Sequence, residues 1–104
     1  MDFNVVVLDG RLAAPPEIRQ FDSGAMLARY LLTVGSERPR RVDVIPVTLW
    51  DPPEDLINAE PAPGRRVFVV GSVQRRFWSE SEERRSRLEI VAAQVCLRPE
   101  VEAA

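Results

Sequence analysis

Apolar residues, many of them β-branched, cluster in five stretches of the chain, and turn-forming residues separate these stretches. Such stretches are typical of the strands of an all-β meander or barrel. Gly10 and Gly71 interrupt two of the stretches, as is common at bulges and at the sharp bends of a barrel corner. The pattern predicts five strands, at residues 4–12, 26–35, 42–50, 66–78 and 87–97.

One short helix is predicted between the third and fourth strands. Prolines at positions 52, 53, 61 and 63 leave room for it only at about Glu54 to Ala59. Pro53 suits the first turn of a helix, and Gly64 suits its exit. The element order β-β-β-α-β-β is that of the oligonucleotide-binding (OB) fold, an all-β, five-stranded Greek-key barrel with one short helix between strands three and four.

Length and composition set the domain organisation and exclude several kinds of site. The 104 residues suffice for one domain, which we expect at 1–98, followed by a short disordered C-terminal end at 99–104. The chain has no histidine and one cysteine, so a histidine-containing triad, an internal disulfide and a CxxC metal site are excluded. We therefore expect no enzymatic activity, no cofactor and no bound metal.

The same data predict a cytoplasmic protein. No stretch approaches the run of about 18 apolar residues that a membrane helix needs. The N-terminus carries an acid, Asp2, where a signal peptide carries basic residues. A single cysteine, Cys96, fits a reducing compartment.

Charge is distributed unevenly along the chain. The net charge of −2 argues by itself against a nucleic-acid partner. Residues 64–88, however, contain seven arginines against three glutamates, a local net charge of +4. A groove lined by this segment could attract phosphate although the whole molecule is acidic. All fourteen basic residues are arginine, which a GC-rich genome explains by itself, although arginine also suits phosphate and base recognition.

Strand alternation places both tryptophans away from the core. In the third strand, Trp50 lies on the face opposite to the one that carries isoleucine, valine and leucine. In the fourth strand, Trp78 shares its face with Gln74 and Arg76. Aromatic rings beside arginines are typical of proteins that bind single-stranded nucleic acid, because each stacked base contributes about 1–3 kcal/mol and arginine neutralises the backbone. In the alternative, Trp50 packs under the helix and Trp78 covers a barrel end.

Two segments between strands are rich in arginine. Ser79 to Ser86 is predicted to be a mobile hairpin tip, and it is either a solvated charged turn or an arm that folds over nucleic acid. Ser36 to Arg41 offers arginines at the other lip of the barrel, where they are either binding residues or a soluble surface. The arginines concerned are Arg84, Arg85 and Arg87 near the first segment and Arg38, Arg40 and Arg41 in the second.

Four motifs share their order and spacing with a known family. They are Gly10-Arg11-Leu12-Ala13-Ala14 with Pro16-Glu17 and Arg19; Ser23-Gly24 with Ala28-Arg29-Tyr30; Asp43 with Ile45-Pro46-Val47 and Trp50; and Gly64 with Val67-Phe68-Val69-Val70-Gly71 and Arg76-Phe77-Trp78. On these residues the chain resembles the bacterial single-stranded DNA-binding proteins over nearly its whole length.

The resemblance implies an OB-fold that binds single-stranded DNA independently of sequence and supports replication, recombination or repair. It also implies a nucleoid-associated location, assembly into dimers or tetramers, and stacking aromatics at Trp50 and Trp78. Together with strand alternation and charge, it suggests a set of candidate DNA-binding residues. They are Trp50, Trp78, Arg76, Gln74, Arg29, Thr33, Arg38, Arg40, Arg41, Arg84, Arg85 and Arg87.

The chain also departs from the family pattern. Val44 stands where an aromatic residue is common, the loop at Glu37 and Arg38 lacks another, and the helix is short and broken by proline. The family's long Gly/Pro/Gln-rich tail, whose acidic tip recruits partner enzymes, is missing up to Ala104, so we expect a tail-less paralogue rather than a shortened sequence. These departures favour a second hypothesis, an OB-fold protein-interaction or co-assembly partner with little DNA affinity. Binding to RNA is not distinguished from binding to DNA.

Overall fold

The structure is a computed structural model that describes residues 1–100. Within this range the chain forms six strands and one short helix. They are β1 (Val6–Leu12), β2 (Glu17–Gln20), β3 (Met26–Glu37), β4 (Arg40–Trp50), α1 (Glu54–Asn58), β5 (Arg66–Glu80) and β6 (Glu83–Leu97). The predicted helix is confirmed and ends one residue earlier than expected. Of the predicted C-terminal end at 99–104, residues 101–104 lie outside the described residues.

Five of the strands close into a barrel in the order β1-β5-β6-β4-β3. Most neighbours are antiparallel, but β4 and β6 run parallel and pair only through Val47 and Thr48 of β4. The barrel closes where Arg11 and Leu12 of β1 pair with β3. The prediction of a five-stranded OB-fold barrel with one short helix is therefore confirmed.

β2 is a strand that the sequence pattern does not predict. All four of its residues are exposed, so they lack the alternation that marks a strand with one buried face. The strand forms because the turn at Asp22-Ser23-Gly24 folds it back along the start of β3. Gly24 has a φ of 92°, a value that favours glycine. β2 lies at the edge of the sheet and brings Phe21 to the end of β4.

Both long hairpins extend further than predicted. Only Arg38 and Pro39 separate β3 from β4, and only Ser81 and Glu82 separate β5 from β6. Ser81 and Glu82 have φ values of 49° and 68°, as in the two-residue turns that match the twist of paired strands. The hairpin predicted over Ser79 to Ser86 is present, but its turn is shorter than expected, because cross-strand hydrogen bonds continue where the apolar signal ends.

The outer part of the β5–β6 hairpin is named the ribbon here, and it comprises residues 74–80 and 83–89. Within the described residues these two segments pair only with each other. At its base the ladder shifts register between Val70 and Gly71. A Cβ atom at Gly71 would lie 2.2 Å from the carbonyl oxygen of Val91, so the backbones approach too closely for any other residue. This irregularity in the ladder at Gly71 is of the kind expected from the sequence.

The core fills the barrel interior with the inward-facing residues of the strands. Its largest fully buried side chains are Tyr30, Leu32, Val47, Val67 and Val69. Leu56 of α1 is buried against them. The hydroxyl of Tyr30 has no hydrogen-bond partner within residues 1–100, and burial, together with the nearby negative charge of Asp55 in α1, raises the pKa of Tyr30.

Candidate nucleic-acid interface

The ribbon has two different faces, because successive residues of a strand point to opposite sides. One face, named the tryptophan face, carries three cross-strand pairs: Gln74 with Glu89, Arg76 with Arg87, and Trp78 with Arg85. The other, named the phenylalanine face, carries Arg75 with Leu88, Phe77 with Ser86, and Ser79 with Arg84. Candidate residues that are adjacent in sequence are therefore separated in space.

Trp78 is partly buried on the tryptophan face and is held by polar neighbours. The guanidinium carbon of Arg87 lies 5.7 Å from the ring centroid, within the range of a cation–π contact. The indole Nε1–H donates to the carboxylate of Glu80 over 3.4 Å. These contacts orient the ring on the ribbon, beside arginine rather than over the end of the barrel core.

Trp50 ends β4, where it pairs with Leu27 of β3. Its side chain is 41% exposed, so α1 does not cover it. The ring contacts Phe21, with centroids 5.8 Å apart and planes tilted by 30°. Phe21 is itself 41% exposed, so the two rings form one partly exposed aromatic platform.

Two adjoining clefts connect the tryptophans. The first, of about 170 Å³, contains both Trp50 and the arginines of the ribbon. The second, of about 310 Å³, is lined by Arg76, Arg87 and Trp78. Arg76 and Arg87 belong to both clefts, so a continuous surface, named the aromatic groove, runs from Phe21 to Trp78. The lining residues of the first cleft are Glu17, Arg19, Phe21, Leu27, Arg29, Trp50, Arg76 and Arg87.

Arginines outnumber acids along the aromatic groove. Arg19 is paired with Glu17 at 3.0 Å, and Arg76 lies 3.9 Å from Glu89. Within residues 1–100, Arg29 and Arg87 form no ion pair. The exposed Arg19–Glu17 pair contributes little to stability, so a phosphate can displace Glu17. The groove therefore offers positive charge between two aromatic platforms.

Two further candidates lie on the tryptophan face but line neither cleft. The guanidinium of Arg85 bonds to Glu83 at 3.1 Å and lies 3.8 Å from Glu80. Gln74 is exposed, and its side-chain amide donates to the hydroxyl of Ser72. On the tryptophan face, carboxylates therefore already neutralise the charge of Arg85. Arg87, on the same face, has no ion-pair partner in the described part of the chain.

The other candidates are separated from the aromatic groove. Arg84 is on the phenylalanine face, with its guanidinium carbon 4.8 Å from the Phe77 centroid. Arg85 and Arg87 therefore share one face of the ribbon, whereas Arg84 projects from the other side of the strand. Thr33 lies at the β1–β3 seam, where its hydroxyl donates to the carbonyl of Arg11.

Three arginines of the predicted second lip belong to the β3–β4 hairpin and line neither cleft of the groove. Arg38 lies in the turn, whereas Arg40 and Arg41 begin β4. A hydrogen bond from Arg41 to the carboxylate of Asp43 raises the pKa of the guanidinium further above the physiological range. Arg41 therefore remains charged and is already paired.

Phe21 and Arg19 are groove residues that sequence reasoning misses. Both follow from β2, whose exposed residues carry no strand signal. The available signal is local: an aromatic residue immediately precedes the turn at Asp22-Ser23-Gly24, where a chain that reverses direction would bring it beside the next strand.

No group of three or more potential metal-ligating side chains occurs within residues 1–100. In the same residues, no helix has the length and apolar character needed to cross a membrane.

Comparison with known proteins identifies a family. Residues 3–97 match the model of the single-strand binding protein family. The single-stranded DNA-binding protein of Treponema pallidum is 28% identical over 102 residues, which cover 92% of this chain and 58% of that protein. The single-stranded DNA-binding protein of Caldanaerobacter subterraneus subsp. tengcongensis is 32% identical over 100 residues, covering 88% of this chain and 65% of that protein. The chain thus spans less than two thirds of the length of either relative.

A solved structure supports the fold. A chain from the Plasmodium falciparum SSB complex with ssDNA superposes with a TM-score of 0.76. The match covers 95% of this chain and 97% of that one at 23% sequence identity. The barrel topology is therefore shared with that structure.

Proposed function

The chain belongs to the single-strand binding protein family, and from that premise we propose that it binds single-stranded DNA independently of sequence along the aromatic groove. The observation that carries the proposal is the row of side chains from Trp50 through Arg29, Arg76 and Arg87 to Trp78. Three of these five residues are arginine and two are tryptophan, which is the combination that single-strand binders use.

Binding rests on two kinds of contact. Bases stack on the platform of Trp50 and Phe21 and on Trp78, because every base has a π-face to offer. Between these points, Arg29 and Arg87 contact phosphates. Neither forms an ion pair within residues 1–100, so no carboxylate has to be displaced first. Neither contact distinguishes one base from another, so affinity is set by chain length and salt rather than by sequence.

The proposed role is protection and organisation of exposed single strands during replication, recombination or repair, at the nucleoid in the cytoplasm. The family consists of DNA-binding proteins rather than enzymes, so the chain is not an enzyme. The relatives in Treponema and Caldanaerobacter carry the name of that binding activity, which supports the proposal.

We also propose assembly into a homo-oligomer. β1 pairs with β5 along Val6–Arg11 but meets β3 only at Arg11 and Leu12, so one edge of β1 is unpaired within the described residues. Val5 and Val7 beside this edge are 66% and 56% exposed. An exposed apolar strand edge is a template for pairing with another chain. Sedimentation equilibrium is expected to give a mass of at least two chains, and a monomer at micromolar concentration would contradict the proposal.

Tryptophan fluorescence during titration with poly-dT tests DNA binding directly, because both tryptophans line the groove. We expect strong quenching at low salt and weaker binding at moderate salt, since each neutralised phosphate releases condensed counterions. Duplex DNA of equal nucleotide concentration is the control, because its stacked bases cannot reach the rings. Absence of quenching by poly-dT at low salt would overturn the proposal.

A protein-interaction or co-assembly role remains the second candidate. The net charge of −2 and the aliphatic Val44, which is 58% exposed where an aromatic residue is common in the family, favour weak DNA affinity. This candidate predicts an oligomer without quenching in the same titration. The two measurements together therefore separate the candidates.

A further inference from the structure

A third cavity opens beside the aromatic groove, between β4 and the base of the ribbon. β4 and β6 pair only at Val47–Ile90 and Thr48–Val91. Beyond these pairs the strands diverge, and the gap between them is a cavity of about 390 Å³, named the slot here. This volume lies in the range of sites that bind small molecules and cofactors, roughly 300–1,000 Å³.

The slot has an apolar floor and a polar rim. The floor is the apolar part of the lining, formed by Ile45, Val73, Leu88 and Ile90, of which Leu88 is itself largely exposed. The rim is the rest of the lining, formed by Arg29, Pro46, Thr48, Arg87 and Glu89. Arg29 and Arg87 also line the first cleft of the aromatic groove, so the slot opens onto the surface proposed to hold DNA.

Two buried polar atoms at the rim have no hydrogen-bond partner within residues 1–100. One is the Nε–H donor of Arg29, and the other is the Oε2 acceptor of Glu89. The closest cation to the Glu89 carboxylate, Arg76 Nη1, is 3.9 Å away, which is too far for a hydrogen bond. Buried polar groups are nearly always hydrogen-bonded, so an unpartnered donor and an unpartnered acceptor on two residues that line one cavity point to a ligand that supplies both partners.

We propose that the slot receives one unstacked nucleobase that bears an exocyclic amino group, with cytosine the best match. The amino group donates to the Glu89 carboxylate, a pairing that glutamate makes with cytosine elsewhere. The adjacent ring nitrogen accepts from Arg29, while the ring lies on the apolar floor. Thymine fits less well, because two carbonyl oxygens flank its single N–H and repel the carboxylate.

This inference rests on the proposed function and adds to it. Stacking on Trp50 and Trp78 remains independent of sequence, and the slot adds a preference at a single nucleotide. A protein side chain could also enter an apolar slot. The nucleobase is favoured because the slot shares two arginines with the groove. In addition, the unpartnered donor of Arg29 and the unpartnered acceptor of Glu89 match the acceptor and donor on the edge of a base.

The test compares oligo-dT with the same oligonucleotide carrying one central dC, both titrated by tryptophan fluorescence at moderate salt. The wild type is expected to bind the dC oligonucleotide about tenfold more tightly, the size of one hydrogen bond to a charged group. Equal affinities for two oligonucleotides that both bind would overturn the slot proposal and leave DNA binding intact. If neither oligonucleotide binds, DNA binding fails, and the slot proposal fails with it.

Two matched variants separate base recognition from charge. Glu89→Met and Glu83→Met each remove one negative charge and one arginine partner from the tryptophan face, but only Glu89 lines the slot. Both variants are expected to bind oligo-dT more tightly than the wild type does. Only Glu89→Met is expected to lose the dC preference, to a ratio near one. A preference retained in Glu89→Met, with the fold verified by circular dichroism, would overturn the proposal.

Discussion

The two faces of the ribbon carry similar residues in different surroundings. Each has one aromatic ring with an arginine above it: Arg87 lies 5.7 Å from the Trp78 centroid, and Arg84 lies 4.8 Å from that of Phe77. The tryptophan face continues through Arg76 into the cleft of Trp50. The phenylalanine face instead continues toward Leu88, which is 61% exposed.

The difference shows that an aromatic–arginine pair is not by itself a binding site. Phe77 is 53% exposed and therefore more accessible than the partly buried Trp78. What distinguishes Trp78 is the second aromatic platform on the same surface, with arginines between the two. A single strand can follow such a row, because successive bases need successive platforms.

The strongest test of this comparison is truncation of one aromatic residue on each face. Trp78→Ala is expected to weaken binding of oligo-dT roughly 5- to 150-fold, because one stacked base contributes about 1–3 kcal/mol. Phe77→Ala, the matched control on the adjacent residue, is expected to change affinity less than about threefold. Fluorescence anisotropy of a labelled oligonucleotide measures both without relying on tryptophan signal. Equal losses in the two variants would show that the ribbon binds DNA on both faces.

A second test concerns the other end of the aromatic groove. Trp50→Ala is expected to weaken binding by about tenfold, again the effect of one stacked base. Phe21→Ala is expected to have a smaller effect of a few-fold, because Phe21 supports the ring of Trp50 at 5.8 Å and extends its platform. The same anisotropy titration measures both variants. A larger loss for Phe21→Ala than for Trp50→Ala would make Phe21 the principal stacking residue.

Sequence alone predicts the barrel and the faces of the tryptophans, because strands with one buried face carry their own periodicity. Val47 and Leu49 are buried while Trp50 is exposed, as alternation requires, but Thr48 on the face of Trp50 is buried as well, because β6 pairs with β4 there. The register shift at Gly71 is also predictable, since glycine within a strand marks a bulge or a close approach of backbones.

What sequence does not reveal depends on residues without a buried face. β2 and the outer ribbon are exposed on both sides, so hydrogen bonding rather than an apolar pattern determines them. The position of Phe21 follows from β2, and the separation of Arg84 from Arg85 follows from the length of the ribbon. The slot arises where β4 and β6 diverge. These two strands are far apart in the sequence, so local patterns do not reveal the gap between them.

The smallest expected effect concerns the arginines of the two faces. Arg87→Gln removes a groove cation that has no ion-pair partner within residues 1–100, so the salt dependence of binding should decrease by one phosphate contact, about 0.7 in the slope of log K against log salt concentration. Arg84→Gln removes the same charge from the phenylalanine face and is expected to leave that slope unchanged. Affinities measured at several salt concentrations for the wild type and both variants give the slopes. Because net charge changes equally in the two variants, a decrease shared by both would mean that overall charge, and not the aromatic groove, governs the attraction of DNA.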